Sequence, residues 1–235
     1  MQVKTAVIIP VYNEGDNLKI LIPNIFEHNK NVQVYVVDDS SSDGTESIIA
    51  KFQKKHALTY LKRRKKLGRG TAVTFGFKKA FENKAIDVFV EMDADLSHDP
   101  KELLKLVSLV DKNSIALASR YIPRSKIYGI SRERKILSKF VNGFESILFG
   151  LPIHDYTNGY RAYPRSAVEL LIKHKYVCTG FASIAESTYF LYKKGYNLRE
   201  NSTRFVNRRI GGSKADLHEM YISVRDLLRV RFSKI

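Results

Sequence analysis

Apolar residues along this chain follow two alternating rhythms. Continuous apolar runs at residues 5–9, 33–37, 57–61, 87–92 and 114–118 have the length of buried strands. Between the first two, Leu18, Leu21, Ile22, Ile25 and Phe26 recur at i, i+3, i+4, i+7 and i+8, the pattern of a helix with one buried face. Asp16 reads as its N-cap, and Pro23 predicts a kink. The spacing predicts further helices over 45–55, 71–81 and 100–110, with Pro100 suited to a first helical turn. Strand and helix alternate through about residue 120. That predicts an α/β, Rossmann-like fold: a mostly parallel central sheet flanked by helices on both faces.

After residue 118 the rhythm changes. Residues 120–131 read as a basic loop. Residues 132–149 read as a long helix with Ile136, Leu137, Phe140, Val141, Phe144 and Leu148 on one side, ended by Gly150. Residues 154–161 read as a loop, 164–174 and 184–194 as helices, and 199–206 as a strand. A last helix over 216–232 places Leu217, Met220, Tyr221, Val224 and Leu228 on one face. No repeat, low-complexity tract or linker interrupts the chain, so one domain spanning 1–235 is expected. Its first half (to about residue 120) would bind a nucleotide-type ligand, and residues 121–235 would bind the acceptor.

Three of the strands run out into polar clusters. They are Pro10-Val11-Tyr12-Asn13-Glu14, Asp38-Asp39-Ser40-Ser41-Ser42-Asp43-Gly44 and Asp93-Ala94-Asp95-Leu96-Ser97-His98-Asp99-Pro100. In open α/β sheets, ligands bind at the carboxyl ends of the strands. Parallel strands would bring these carboxylates to one edge, where like charges repel unless a cation or donors intervene. Alone, Asp93-x-Asp95 reads equally as a polar turn and as a hard-cation site, since Mg²⁺ takes one or two carboxylates plus substrate phosphates. Tyr12, Glu14 and Asp39 suit a base and a ribose. Asp43-Gly44 reads as a turn and helix cap. Gly68-Arg69-Gly70 opens a helix but lacks the third glycine of a dinucleotide fingerprint, and no phosphate-loop motif occurs.

Charge sharpens this picture. The 235 residues carry 40 Lys and Arg against 24 Asp and Glu, a net +16. Residues 51–79 hold 11 basic and no acidic residues, 120–139 hold 7 basic and 1 acidic, and 204–235 hold 8 basic and 3 acidic. Such clusters imply anionic partners. A nucleic-acid-binding module is one such reading, but no nucleic-acid motif accompanies the charge and the strand ends are acidic, so no nucleic acid partner is expected. No run approaches the ~20 apolar residues of a membrane span, and residues 1–10 do not read as a signal peptide. Cys178 is the only cysteine, which excludes an internal disulfide and fits a reducing cytoplasmic compartment.

Taken in order, Pro10-x-Tyr12-Asn13-Glu14, Val37-Asp38-Asp39, Gly68-x-Gly70-x-Ala72, Met92-Asp93-Ala94-Asp95-Leu96-Ser97-His98-Asp99-Pro100, Ser119-Arg120-Tyr121 and Gly211-x-Ser213-Lys214 resemble family 2 glycosyltransferases of the GT-A fold. Within that family they resemble the dolichyl-phosphate mannose synthase and polyprenyl-phosphate glycosyltransferase branch. The resemblance spans residues 3–232. It implies a nucleotide-sugar pocket of Pro10, Tyr12, Glu14, Val37, Asp39, Asp93, Ala94, Asp95, Arg120, Arg208 and Lys214. It implies a metal, Mg²⁺ or Mn²⁺, at Asp93 and Asp95. Asp93, Asp95, Arg120 and Arg134 would carry catalysis, and Arg120, Arg134, Ser138 and Arg208 would meet the acceptor phosphate. The implied reaction is inverting transfer of a sugar, mannose from GDP-mannose, to dolichyl or polyprenyl phosphate. It would take place peripherally on the cytosolic face of a membrane, with a small anchor subunit as a possible partner. A UDP-glucose or UDP-N-acetylglucosamine donor, or a non-lipid acceptor, is the alternative. The chain departs from the pattern where Arg69 replaces a Leu between the glycines and Ser183 replaces an aromatic residue.

Overall fold

The computed structural model describes residues 3–207 and 217–232, with the side chains of 217–221 excepted. The sequence predictions that involve Arg208, Gly211, Ser213 and Lys214 therefore lie outside the described residues. In chain order the elements are β1 (Thr5–Val11), α1 (Gly15–His28), β2 (Val32–Asp38), α2 (Thr45–Gln53), β3 (Leu58–Lys62), α3 (Arg69–Phe81) and β4 (Val88–Glu91). A 3₁₀ turn (Pro100–Glu102) leads into α4 (Leu103–Val107), followed by β5 (Ser114–Ser119), β6 (Lys126–Tyr128) and α5 (Arg132–Phe149). Then come β7 (Arg161–Pro164), α6 (Arg165–Lys173), α7 (Ser183–Lys193), β8 (Asn197–Ser202), β9 (Arg204–Val206) and α8 (Leu217–Phe232).

Seven strands form one sheet in the order β3-β2-β1-β4-β7-β5-β8. β3, β2, β1 and β4 run parallel, β7 is antiparallel to both neighbours, and β5 and β8 pair in parallel. Two antiparallel steps restore direction, so β5 points the same way as β4. β6 and β9 make a separate two-stranded ribbon.

The alternation of side chains along each strand divides the core into two layers. Val7, Ile9, Val34, Val36 and Val90 pack with Leu18, Leu21, Ile22 and Ile25 of α1 and with Leu103 and Leu106 of α4. On the other face Ala6, Ile8, Tyr35 and Phe89 pack with Val73 and Phe77 of α3 and Val168 and Leu171 of α6. Both faces of β1 are therefore covered, which is why its sequence reads as an unbroken apolar run rather than an alternating one. A third cluster joins Leu117, Phe149, Leu151, Tyr156 and Tyr189 to Leu227 and Val230 of α8.

The predicted strands and long helices form close to their expected bounds, with several differences. Asp16 does not cap α1. It lies in the first turn, paired with Lys19 at 2.8 Å, and the Gly15 amide donates instead to Asp43, 28 residues away, at 2.8 Å. α1 runs through Pro23 to His28. The predicted helix at 100–110 divides into the 3₁₀ turn and the five-residue α4. β6 forms inside the predicted basic loop, β7 inside a segment read as loop and helix, and residues 199–206 divide between β8 and β9.

The apolar positions of α5 also divide. Phe144, Leu148 and Phe149 join the third cluster, while Ile136 (69%), Phe140 (74%) and Ile147 (88%) are exposed along one stripe. Ser131 caps the first turn by accepting from the Arg134 amide, and Gly150 closes the last with φ +61. On the inward side Glu145 is buried, and its Oε2 has no hydrogen-bond partner. Burial pushes the Glu145 carboxyl up to about 8, against the opposing pull of Arg161 and Arg120. A raised carboxyl favours the folded state below the ordinary range near 4.5, and that contribution is lost as pH climbs through about 8. Glu145→Gln should therefore remove a fall in stability on the order of 4 kcal/mol between pH 5 and pH 9. Urea unfolding of both proteins at pH 5, 7 and 9 measures this, and parallel curves for the two would refute it.

Candidate active site

The parallel strands β1, β2 and β4 end side by side, with Val11 opposite Asp38 and Ile8 opposite Glu91. Their polar extensions thus share one edge of the sheet, as the sequence predicts. The loops after β1 and β2 are laced together. The Asn13 amide donates to the Ser41 hydroxyl at 2.8 Å, and the Ser42 amide donates to the Asn13 side chain at 2.8 Å. Asp38 is buried and accepts from Ser41 and from the Tyr60 hydroxyl at 2.6 Å.

Asp39 is held by an arginine that the sequence reading missed. Arg63, one residue past β3, spans both carboxylate oxygens of Asp39, and the Leu67 amide adds a third donor at 3.1 Å. Both side chains are buried. Tyr12 lies under the Lys66 ammonium, 4.7 Å from the ring centroid, a cation–π distance. Glu14 accepts from Asn17. Pro10 is half-buried at the end of β1, whereas Val37 and Ala94 are core residues with almost no exposed side chain to offer a ligand.

Beyond β4 the chain makes a tight turn through Leu96, whose φ is +65. His98, buried and stacked on Tyr160, accepts the Asp93 amide on Nδ1 at 3.1 Å, and its Nε2 nitrogen lies 4.0 Å from the Asp93 carboxylate. Asp95 accepts from the Ser97 amide and hydroxyl at 3.1 and 2.6 Å. Asp93 accepts from Arg69 Nε at 2.8 Å, and Arg69 Nη1 reaches Glu91 at 2.8 Å. Burial alone would lower the Arg69 pKa, but the charges of Asp93 and Glu91 outweigh it and raise it above the ordinary value.

The other half of the site follows β5. Arg120 leaves the strand at the same edge and forks onto Asp155 through Nε and Nη2, both at 2.7 Å, with Thr157 as a further partner. Burial would raise the Asp155 carboxyl, but the Arg120 hydrogen bonds and charge hold it below the usual range. The expected phosphate-binding fork of Arg120 is thus engaged internally. Phe205 of β9 bridges the halves, its ring 6.4 Å from His98 and 5.1 Å from the Arg120 guanidinium. Arg161, fully buried, donates to the carbonyls of Tyr156, Asn158 and Ile184 and fastens the 155–161 loop to α7. Arg134 is exposed on the first turn of α5 and donates to Asn207 at 3.0 Å, while Ser138 pairs with Tyr121 at 2.8 Å.

Arg63 and Glu91 had no motif to mark them. Their signal is positional: a basic residue just beyond one strand and an acid closing another, which becomes legible only when the strand order is known.

The chain matches the family described as Glycosyl transferase family 2 over residues 6–171. It is 35% identical over 217 residues to polyprenol monophosphomannose synthase of Mycolicibacterium smegmatis, covering 90% of this chain and 80% of that protein. It is 31% identical over 212 residues to undecaprenyl-phosphate mannosyltransferase of Micrococcus luteus, covering 90% of this chain and 87% of that one. Its fold is similar to a mannosyltransferase from Pyrobaculum calidifontis solved with GDP-Man and Mn2+. There the TM-score is 0.65 at 21% identity, across 99% of this chain and 64% of that one. It is similar also to glucosyl-3-phosphoglycerate synthase from Mycobacterium tuberculosis solved with Mn2+ and uridine-diphosphate, with a TM-score of 0.66 at 16% identity across 97% and 80% of the two chains. With its strand order, its acidic strand ends and a family match across most of its length, this chain belongs to the family 2 glycosyltransferases.

Proposed function

We propose that this glycosyltransferase moves mannose from GDP-mannose to the phosphate of a polyprenyl chain such as dolichyl phosphate, at a membrane surface and with inversion at the anomeric carbon. The observation that carries this reading is α5. Its first turn presents Arg134 beside the site, and its length exposes Ile136, Phe140 and Ile147 in one stripe beside Arg132, Lys135 and Lys139. A sugar acceptor in solution requires no such apolar face, whereas a lipid phosphate arrives at the boundary that an amphipathic basic helix occupies. The names of the two bacterial relatives support both the sugar and the lipid phosphate. Among the described residues no helix is long and apolar enough to cross a membrane. α8 packs beside α5 and exposes Val224, Leu228 and Phe232, widening the surface.

In this reading the half of the chain up to about residue 120 holds the donor. Pro10, Tyr12, Glu14 and Asp39 shape the nucleoside pocket, and Asp93 and Asp95 face the diphosphate. Arg134 and Ser138 meet the acceptor phosphate, joined by Arg208, while Lys214 serves the nucleotide sugar; both Arg208 and Lys214 belong to the segment outside the described residues. Arg120, closed on Asp155, positions the 155–161 loop beside the Asp93 turn. A phosphate oxygen of the acceptor bonds to the anomeric carbon as the bond from that carbon to the diphosphate oxygen breaks, and the electron pair leaves with GDP. The acceptor phosphate is already ionised near neutral pH, so no protein base removes a proton.

Two carboxylates at one strand end fit Mg²⁺ or Mn²⁺, which completes its shell from phosphates and water. Among the described residues no group of three or more metal-ligating side chains could hold such an ion alone, which accords with a cation shared with the substrate. When bound, the cation supplies Lewis-acid stabilisation of the leaving diphosphate.

Incubation with dolichyl phosphate, Mg²⁺ or Mn²⁺, and GDP-mannose, UDP-glucose or UDP-N-acetylglucosamine in turn should give lipid-linked sugar with GDP-mannose alone. Absence of lipid product from all three would defeat the assignment. Asp95→Ala should lower turnover by at least about 100-fold while the melting temperature shifts by only a few degrees. The protein should float with anionic liposomes. Replacing Phe140 and Ile147 by Ser should release it without altering its melting temperature, because both side chains are already in water. Equal flotation of the two proteins would remove α5 from the proposal.

A further inference from the structure

Arg69 is placed against the ordinary preferences of a helix. It is the first residue of α3, where the macrodipole disfavours a cation, and no acidic residue shares that turn. Its side chain is 8% exposed. The guanidinium is satisfied from three directions: Nε on Asp93 and Nη1 on Glu91, both at 2.8 Å, and Nη2 on the Gly159 carbonyl at 3.3 Å. Glu91 is further tied by the Tyr163 hydroxyl.

The surroundings are shaped around this side chain. A side chain at Gly159 would overlap the Arg69 guanidinium and approach Asp93 Oδ2 to 3.2 Å. Gly68, with φ +93, lies so close to the 179–180 loop that a Cβ there would meet the Thr179 carbonyl oxygen at 2.6 Å. Ser183 borders Arg69 in a small internal pocket shared with Glu91, Tyr176 and Ser187. Two of the positions at which the chain departs from the pattern it resembles, Arg69 and Ser183, thus line one pocket, and Ser183 lies so close to α3 that a Cβ at Gly70 would meet its hydroxyl.

We propose that Arg69 is a positioning residue that acts through Asp93: it fixes one oxygen of that carboxylate and offsets its charge, so that a divalent cation binds the Asp93–Asp95 turn weakly until the donor diphosphate supplies further ligands. This rests on the donor-site reading above. The two carboxylates of the Asp93–Asp95 turn would otherwise draw a divalent ion before the donor arrives, and a resident guanidinium competes directly with it for Asp93. When the diphosphate is present, its oxygens add negative charge and ligands that Arg69 does not oppose in the same way. Metal and nucleotide binding are then positively coupled, and the coupling is reciprocal.

The test is Mn²⁺ binding by electron paramagnetic resonance, with and without GDP. The proteins are wild type, Arg69→Leu, Arg69→Lys, Glu91→Gln, and the double variant Arg69→Leu with Glu91→Gln, which avoids stranding Glu91 as a buried unpaired charge. Without GDP, Arg69→Leu and the double variant should bind Mn²⁺ at least about tenfold tighter than wild type, and the gap should narrow when GDP is present. Arg69→Lys should restore weak binding, and Glu91→Gln alone should not tighten it. A purely structural role for Arg69 gives the opposite sign, because a loosened turn binds the ion less well. Unchanged or weaker Mn²⁺ affinity in a folded double variant, beside a wild type that binds GDP with Mn²⁺, overturns the role of Arg69 alone. A wild type that binds neither GDP nor Mn²⁺ overturns the donor-site reading and this inference with it.

Discussion

Carboxylates crowd one edge of this sheet, and the fold tolerates them because most of them face an arginine, while Asp38 is held by hydroxyls of Ser41 and Tyr60. Asp39 has Arg63, Glu91 and Asp93 share Arg69, and Asp155 has Arg120. Parallel strands bring their ends together whether or not the resulting charges attract. In a partly dehydrated cleft those charges would repel one another or take up protons. Arginine answers this better than lysine because its planar fork stays charged and meets a carboxylate at two points. Removing one partner of such a buried pair typically costs about 3–5 kcal/mol, because it leaves the other as an uncompensated buried charge.

The arginines come from elements on both sides of the carboxylates, and they therefore set the shape of the cleft. Arg63 draws the basic loop after β3 over the end of β2. Arg69 draws the start of α3 against β4 and the Gly159 carbonyl. Arg120 closes on a loop that Arg161 fastens from below. Phe205 then sits between the two halves, so the acidic turn and the second basic cluster face one another across a single aromatic ring. Positive charge in this chain is thus of two kinds: a buried set that balances fixed carboxylates, and an exposed set, with Arg134 and the α5 lysines, that is available to ligands.

Strands with both faces buried were legible because their runs are unbroken, and α5 was legible because its cap and closing glycine are explicit. β7 was not. Its four residues, Arg161-Ala162-Tyr163-Pro164, begin with a charge and end with a proline, and the carbonyls around Arg161 and the Thr188 hydroxyl make that charge tolerable inside the sheet. The face of α5 was legible as apolar, but which of its residues meet the core depends on α7 and α8, which sequence periodicity does not locate. At the site, the polar strand ends and the Asp93–Asp95 pair could be read directly. The pairings of Arg63, Arg69 and Arg120 could not, since each joins residues 24 to 35 apart in the chain. Val37 and Ala94 belong to recognisable motifs, yet their side chains serve the core.

The place of β7 between β4 and β5 also governs how the molecule can be made. As the chain emerges from a ribosome, β1 to β4 can assemble early from nearby segments. β4 then keeps one open edge, and β5 has no neighbour in the sheet, until some forty residues later β7 arrives and enters between them. β8 completes the sheet only after that. An unpaired strand edge is a site for mispairing with other chains. The cleft at the strand ends therefore matures late, and a fragment ending near residue 120 would hold the acidic turns without the strand that secures them.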